Sequence, residues 1–221
     1  MAKYMIHAVP SRMWYVDNYL IPSMTKQGIN RSDIRVHVDE IHEGNLRACM
    51  HAFQEVDTVA TGTWHLQDDV IISHDFKEKT EKHDYGFVCG FKSIYDGERA
   101  PDGEVPLERL WFSFLCIRIP HKVGFGCAKW VLNEIIGNPV YTEWWEKGVN
   151  DDMLFRKYIW QSYPNEIAMN LNPNIVDHID YLIGGTVNSS KRTKQIRSLA
   201  WEDDYLVDEL EQKLKENINA L

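Results

Sequence analysis

The chain has 221 residues, with 24 Lys and Arg against 33 Asp and Glu, a formal net charge of −9. That length supports one core of its own, and 44% apolar with 26% charged residues is ordinary globular composition, which excludes disordered, collagen-like and coiled-coil classes. No apolar run approaches the ~18 residues of a membrane span, since Leu110 to Ile119 is broken by Ser113 and Arg118. The opening MAKYMIHAVPSR lacks the apolar stretch of a signal peptide, so a cytoplasmic protein is expected. Cys49, Cys89, Cys116 and Cys127 are scattered with no CxxC, which favours reduced thiols over a disulfide framework or a zinc site. The acidic balance weighs against a dedicated nucleic-acid binder and leaves room for a local basic patch.

Met5 to Val9 reads as a first strand ended by Pro10, and Arg12 to Gln27 has helical apolar spacing up to Gly28. Ile34 to Val38 alternates at period two and ends at Asp39, a second strand. Asn45 to Val56 is helical in pattern, with Leu46, Met50 and Phe53 on one face. Trp64 to Gln67 leads into Asp68-Asp69, followed by Val70-Ile71-Ile72. Strands alternating with helices predict a largely parallel α/β sheet. Tyr85 to Phe91 is a further strand, residues 92–108 read as an exposed loop or poorly paired hairpin, and Leu110 to Ile119 reads as a central strand. Lys129 to Ile136 and Asp151 to Ser162 are helical in pattern. Residues 184–200 are polar and basic, and from Asp203 the spacing of Val207, Leu210, Leu214, Ile218 and Leu221 predicts a helix with an apolar stripe. The organisation expected is a domain over 1–202 and a C-terminal helix over 203–221.

Three segments carry chemistry. Asp68-Asp69 at a strand end places two carboxylates against apolar neighbours, costly unless a cation compensates. Hard oxygen ligands suit Mg²⁺ or Mn²⁺, although a surface Asp-Asp turn has the same spelling. His178 lies inside the strand-like run Pro173 to Ile179, where a satisfied core histidine competes with a metal ligand. Asp151 and Asp152 open a helix, where carboxylates cap backbone N–H groups or, alternatively, serve as a general base.

In this order along the chain, Asp68-Asp69, Asp151-Asp152 and Pro173-x-x-Val176-x-His178 resemble the glycosyltransferases of the GT-A fold, over roughly residues 4–200. His7-Ala8-Val9-Pro10-Ser11-Arg12 is similar to the family's first strand and nucleotide-facing loop. Glu43 to Phe53 is similar to its Gly-initiated helix, and Gln67-Asp68-Asp69 to its Asp-x-Asp motif in an x-Asp-Asp form. The resemblance implies a Rossmann-related, mixed but mainly parallel central sheet flanked by helices. It implies Asp69 and His178 on Mn²⁺ or Mg²⁺ against the diphosphate of a nucleoside-diphosphate-sugar, a UDP-sugar being the donor expected, and leaves open whether Asp68 meets metal or sugar. Pro10, Ser11, Arg12, Asp39, Asn45, Arg47 and Gln67 would contact the donor. Asp152 or Asp151 would take the acceptor proton in an inverting reaction.

The basic residues Lys191, Arg192, Lys194 and Arg197 read as a flap closing over the diphosphate, as a patch for an anionic acceptor, or as a solvated loop. Gly124-Phe125-Gly126-Cys127, taken as a loop, and Trp144-Trp145 would flank the acceptor pocket. A compact enzyme of this kind is like those of bacteriophages, some of which glycosylate hydroxymethylated pyrimidines in DNA. DNA is therefore the first acceptor expected, in the host cytoplasm, ahead of a glycan, protein or small molecule. A non-catalytic nucleotide-sugar-binding module is the rival from another class, and a nucleotidyltransferase is disfavoured because no Gly-rich basic loop follows the first strand of this chain. The C-terminal stripe allows a monomer or a homodimer through that helix.

Overall fold

The computed structural model describes residues 3–55, 61–92, 102–107, 110, 115–139, 151–183 and 201–218. It is a mixed α/β fold around a seven-stranded sheet. In chain order the strands are β1 (Tyr4–Ala8), β2 (Ile34–Val38), β3 (Gly62–Gln67), β4 (Val70–Ile72), β5 (Phe87–Cys89), β6 (Gly103–Pro106), β7 (Cys116–Pro120), β8 (Ile167–Asn170) and β9 (Val176–His178). The large sheet runs β2-β1-β3-β7-β5-β8-β6, and β4 pairs with β9 in a small antiparallel ladder. β1, β2, β3, β5 and β8 share one direction, while β7 and β6 run against them. The carboxyl ends of five strands thus lie along one edge.

Helices cover both faces. After β1 a 3-10 turn at Pro10–Arg12 leads into α1, which is α-helical at Met13–Tyr15, π-helical at Val16–Leu20 and α-helical again at Ile21–Lys26. The others are α2 (Asn45–Gln54), α3 (Phe76–Lys82), α4 (His121–Trp130, continued by a π turn at Val131–Ile135), α5 (Asp151–Ser162), α6 (Asp180–Ile183) and α7 (Asp204–Ile218). The period-two alternation of β1 divides the core. Tyr4, Ile6 and Ala8 pack with Tyr15, Leu20, Met24, Phe76 and Leu210 on one face, while Met5 meets Ala52 of α2 on the other. Beyond Met5 on that second face, Phe53, Ile117, Ile119, Cys127 and Phe155 belong to the core built with α2, α4 and α5.

Several expectations change. Residues 121–128, Gly124 to Cys127 included, form the first turns of α4 and not a loop. The glycines are there for packing: a Cβ on Gly126 would lie 2.3 Å from the Tyr158 hydroxyl, and one on Gly124 would meet Phe53 at 3.6 Å. The 92–108 stretch contains β6, which pairs with β8, and buries Lys92, Val105 and Leu107. β8 and α3 have no counterpart in the sequence reading. The Leu110–Ile119 strand is described from Cys116 and is the middle strand of the sheet, as expected of a central one. All four cysteines are buried thiols outside any disulfide. Among the described residues, no helix is long and apolar enough to cross a membrane.

Candidate functional site

Every loop of the site leaves a strand at the shared carboxyl edge, where open α/β sheets hold ligands. β1 stops at Ala8 because Pro10 has no N–H to extend the ladder, and the turn after it sends Arg12 inward. β3 stops at Gln67, Asp68-Asp69 make the turn, and Val70 starts β4. Pairing of Val70 with His178 then delivers the imidazole to Asp69, and the Ile179 N–H donates to the Asp69 carbonyl at 2.9 Å. Tyr15 on α1 locks the turn from behind by donating its hydroxyl to the Val70 carbonyl at 2.9 Å.

At the centre is a buried charge cluster. One guanidinium nitrogen of Arg12, Nη1, donates to Asp68 Oδ1 at 2.6 Å and to Asp69 Oδ2 at 2.8 Å. Asp68 Oδ2 accepts the Val9 N–H at 2.8 Å, so both Asp68 oxygens are used to tie the β1 loop to the β3–β4 turn. Asp69 Oδ2 also lies 3.2 Å from His178 Nε2, and Asp180 Oδ1 stands 3.7 Å from the opposite ring nitrogen. Asp69 Oδ1 is buried with no hydrogen-bond partner. Arg12, Asp68 and Asp69 are 7%, 4% and 5% exposed, so these charges meet with little water between them.

The protonation states follow from that geometry. Burial, then the adjacent Asp69, push the Asp68 carboxyl up to about 6 against the pull of Arg12. Burial acts in the same sense on Asp69 but loses to His178 and Arg12, which hold it below the usual carboxylate range. For His178, burial opposes the charge and is outweighed by Asp69 and then Asp180, so its pKa is raised.

The fit to a divalent cation can be judged on these atoms. Among the described residues no three metal-ligating side chains converge. Small hard cations commonly take one or two protein ligands and complete their shell with substrate phosphates and water. Asp69 Oδ1 has no partner, and His178 Nε2 lies 3.2 Å from Oδ2 of the same carboxylate, the oxygen that Arg12 also holds. The pair fits such a cation. Asp68, with both oxygens occupied, does not offer a ligand.

The remaining expected residues divide. Pro10 and Ser11 are exposed on the loop beside Arg12, and Gln67 is half-buried at the end of β3. Asp39 is buried and accepts the N–H groups of Glu43 at 2.9 Å and Gly44 at 3.2 Å, shaping the loop into α2. Gly44 precedes that helix at φ +90°, a conformation that favours glycine. Asn45 and Arg47 are exposed on the first turn of α2. Asp151 and Asp152 do begin α5. Lys191, Arg192, Lys194, Arg197, Trp144 and Trp145 lie outside the described residues.

A second charged cluster escaped the sequence reading. Lys92 follows β5 and is 2% exposed, paired with Asp102, whose other oxygen accepts from Asn172 Nδ2 at 2.6 Å. Asn174 clasps the Lys92 backbone through both amide atoms. Nothing in the spelling around Lys92 marks it as buried; only the β5–β8 pairing brings residues 92 and 174 together.

No family model and no curated protein matches this sequence. Among solved structures, a protein from Bacillus anthracis assigned as a glucose-1-phosphate thymidylyltransferase, in complex with sucrose, is similar at a TM-score of 0.43 and 10% identity. The match covers 77% of this chain and 86% of that one. At that distance a shared chain path carries nothing about chemistry, which has to come from the side chains.

Proposed function

We propose that the protein is a divalent-metal-dependent glycosyltransferase that moves a sugar from a nucleoside-diphosphate-sugar to an acceptor hydroxyl. The observation that carries the reading is the unpartnered, buried Asp69 Oδ1 beside His178 at the carboxyl edge of the sheet. Asp69 and His178 would hold the metal, Mn²⁺ or Mg²⁺. When bound, it would neutralise charge on the departing nucleoside diphosphate. Asp68 keeps the β1 loop and the β3–β4 turn in register, so that Arg12 enters the site at a fixed height. The guanidinium can donate to phosphate oxygens in the two-pronged manner that suits it. Arg47 and Asn45 offer exposed polar contacts on the donor's flank, while Pro10 and Ser11 would line the loop beneath it. Asp152, or Asp151, at the start of α5 would take the proton from the attacking hydroxyl, which corresponds to inversion.

The acceptor reading is DNA bearing hydroxymethylated pyrimidines, supported by the basic residues 191–197 and the aromatics Trp144 and Trp145 in the sequence. Turnover on such DNA should fall steeply with salt, because phosphate contacts release counterions. A flat salt response would point to a glycan, protein or small-molecule acceptor.

The test of the reaction class is a panel of UDP- and GDP-sugars with Mn²⁺, alongside nucleoside triphosphates with sugar phosphates. Nucleoside diphosphate released from one donor supports the reading. Pyrophosphate released from a triphosphate would replace it with nucleotidyl transfer. Binding of a nucleotide-sugar without turnover on any acceptor would leave a binding module.

A further inference from the structure

The carboxylate pair already has a cation. Arg12 Nη1 lies within 2.8 Å of both Asp68 and Asp69, and all three side chains are buried. The Asp69 oxygen nearest His178, Oδ2 at 3.2 Å, is the one the guanidinium holds, so an ion placed between Asp69 and His178 meets Arg12 first. Such an ion on Asp69 would share that carboxylate with the guanidinium, two like charges in a poorly screened interior. Both could stay only if further negative charge arrived with the metal. A nucleoside diphosphate brings that charge, and its oxygens give the guanidinium a bidentate partner to move to.

We propose that Arg12 is the resident counter-ion of the Asp68–Asp69 pair and gives up its place on Asp69 only when nucleoside diphosphate and metal arrive together. Metal and nucleotide then bind as a coupled pair, each tightening the other by the same factor. Asp68 retains the Val9 N–H throughout and anchors the loop while the guanidinium moves. The inference rests on the glycosyltransferase reading and deepens it: the substrate, and not the metal alone, assembles the site.

The test titrates the full chain with Mn²⁺, following free Mn²⁺ by its electron paramagnetic resonance, with and without UDP and, separately, GDP. In the wild type, one of these nucleotides raises Mn²⁺ affinity by about ten-fold or more, and Mn²⁺ raises the affinity of that nucleotide equally. Arg12→Met binds Mn²⁺ without nucleotide about ten-fold more tightly than the wild type. Its melting temperature also rises further on Mn²⁺ addition, whereas Arg12→Lys, which keeps a cation in place, follows the wild type. Equal Mn²⁺ affinity in the wild type with and without nucleotide would overturn the exchange while leaving the transferase reading intact. No binding of Mn²⁺ or either nucleotide would overturn both. If Arg12→Met folds only when Mn²⁺ is present, the ion has replaced the guanidinium and the inference is supported. If it folds under neither condition, the wild-type coupling alone decides, and its absence overturns the proposal.

Discussion

Asp68 and Asp69 are adjacent in sequence and have opposite duties. Asp68 spends both oxygens on Val9 and Arg12, so Asp68→Asn sets an amide against a backbone or guanidinium donor. That variant should lose about 1–3 kcal/mol of stability in chemical denaturation. Asp69→Asn keeps the shape of the turn and removes the charge beside His178, so its fold should survive while turnover falls about 10²- to 10³-fold. A matched loss of stability in both variants would show that the two carboxylates share one structural role. At this scale the sequence was informative about residue type and not about assignment. The spelling x-Asp-Asp implied a metal site but could not say which carboxylate is tied down, because that depends on where the Val9 N–H and Arg12 arrive. Asp39 likewise reads as a ligand contact in the sequence and is committed to its own loop in the fold.

A second residue-scale prediction concerns histidines under α2. His7 Nε2 and His65 Nδ1 are 2.8 Å apart, one donating and one accepting, a bond that requires an imidazole to stay neutral. Burial, then His37, push His7 down to about 3, and burial, then His7, lower His65 well below the ordinary histidine value of 6.5. Folded-state values below the unfolded ones mean that the unfolded chain binds more protons in that interval. Their contribution is complete above pH 6.5 and drains away as pH falls from there towards 3, with a slope of at most about 1.4 kcal/mol per unit for each group. His65→Phe should flatten the acid limb of the melting temperature against pH. An unchanged limb would mean that other groups govern acid unfolding.

Among the elements, those with a clear local pattern were legible: β1 as a short apolar run stopped by Pro10, β2 by alternation, α2 and α7 by their apolar stripes. Those missed were built by non-local pairing. β8 and β6 pair across more than sixty residues of chain, and neither has a pattern that would stand alone. α4 was read as a loop at Gly124–Cys127 because glycine usually breaks helices, whereas here it lets α4 approach Tyr158 and Phe53. The same logic applies to Gly90 after β5, where a Cβ would come within 2.7 Å of Ile175 Cγ1 and 2.8 Å of Cys116 Sγ. Gly90→Ala should cost about 1–3 kcal/mol by overpacking, measured by denaturant titration. It should also disturb the Asn174–His178 segment, since the Ile175 N–H donates to the Gly90 carbonyl. A neutral substitution would show that this strand end yields readily.

For the whole molecule, the directions of the strands matter more than their number. The carboxyl ends of β1, β2 and β3 bring residues 9–12, 39–47 and 67–69 to one edge and the β4–β9 ladder adds His178, four distant stretches of chain that no single motif spells. α7 closes the opposite layer: Leu210 joins the core and Leu214 packs against it, while Asp203 accepts from the His74 N–H at 3.0 Å. Leu210→Ala should therefore cost about 2–5 kcal/mol, read as a lowered melting temperature. An exposed stripe would have lost almost nothing.

If Asp69 holds the metal that makes a nucleotide-sugar reactive, turnover depends on that one carboxylate. The most direct measurement is nucleoside-diphosphate release from the donor panel with and without Mn²⁺, comparing wild type with Asp69→Asn at equal folded concentration. Metal-dependent release from one donor is expected in the wild type, and release lower by about 10²-fold or more in the variant. Release that is indifferent to Mn²⁺, or that survives the loss of Asp69, would contradict that expectation.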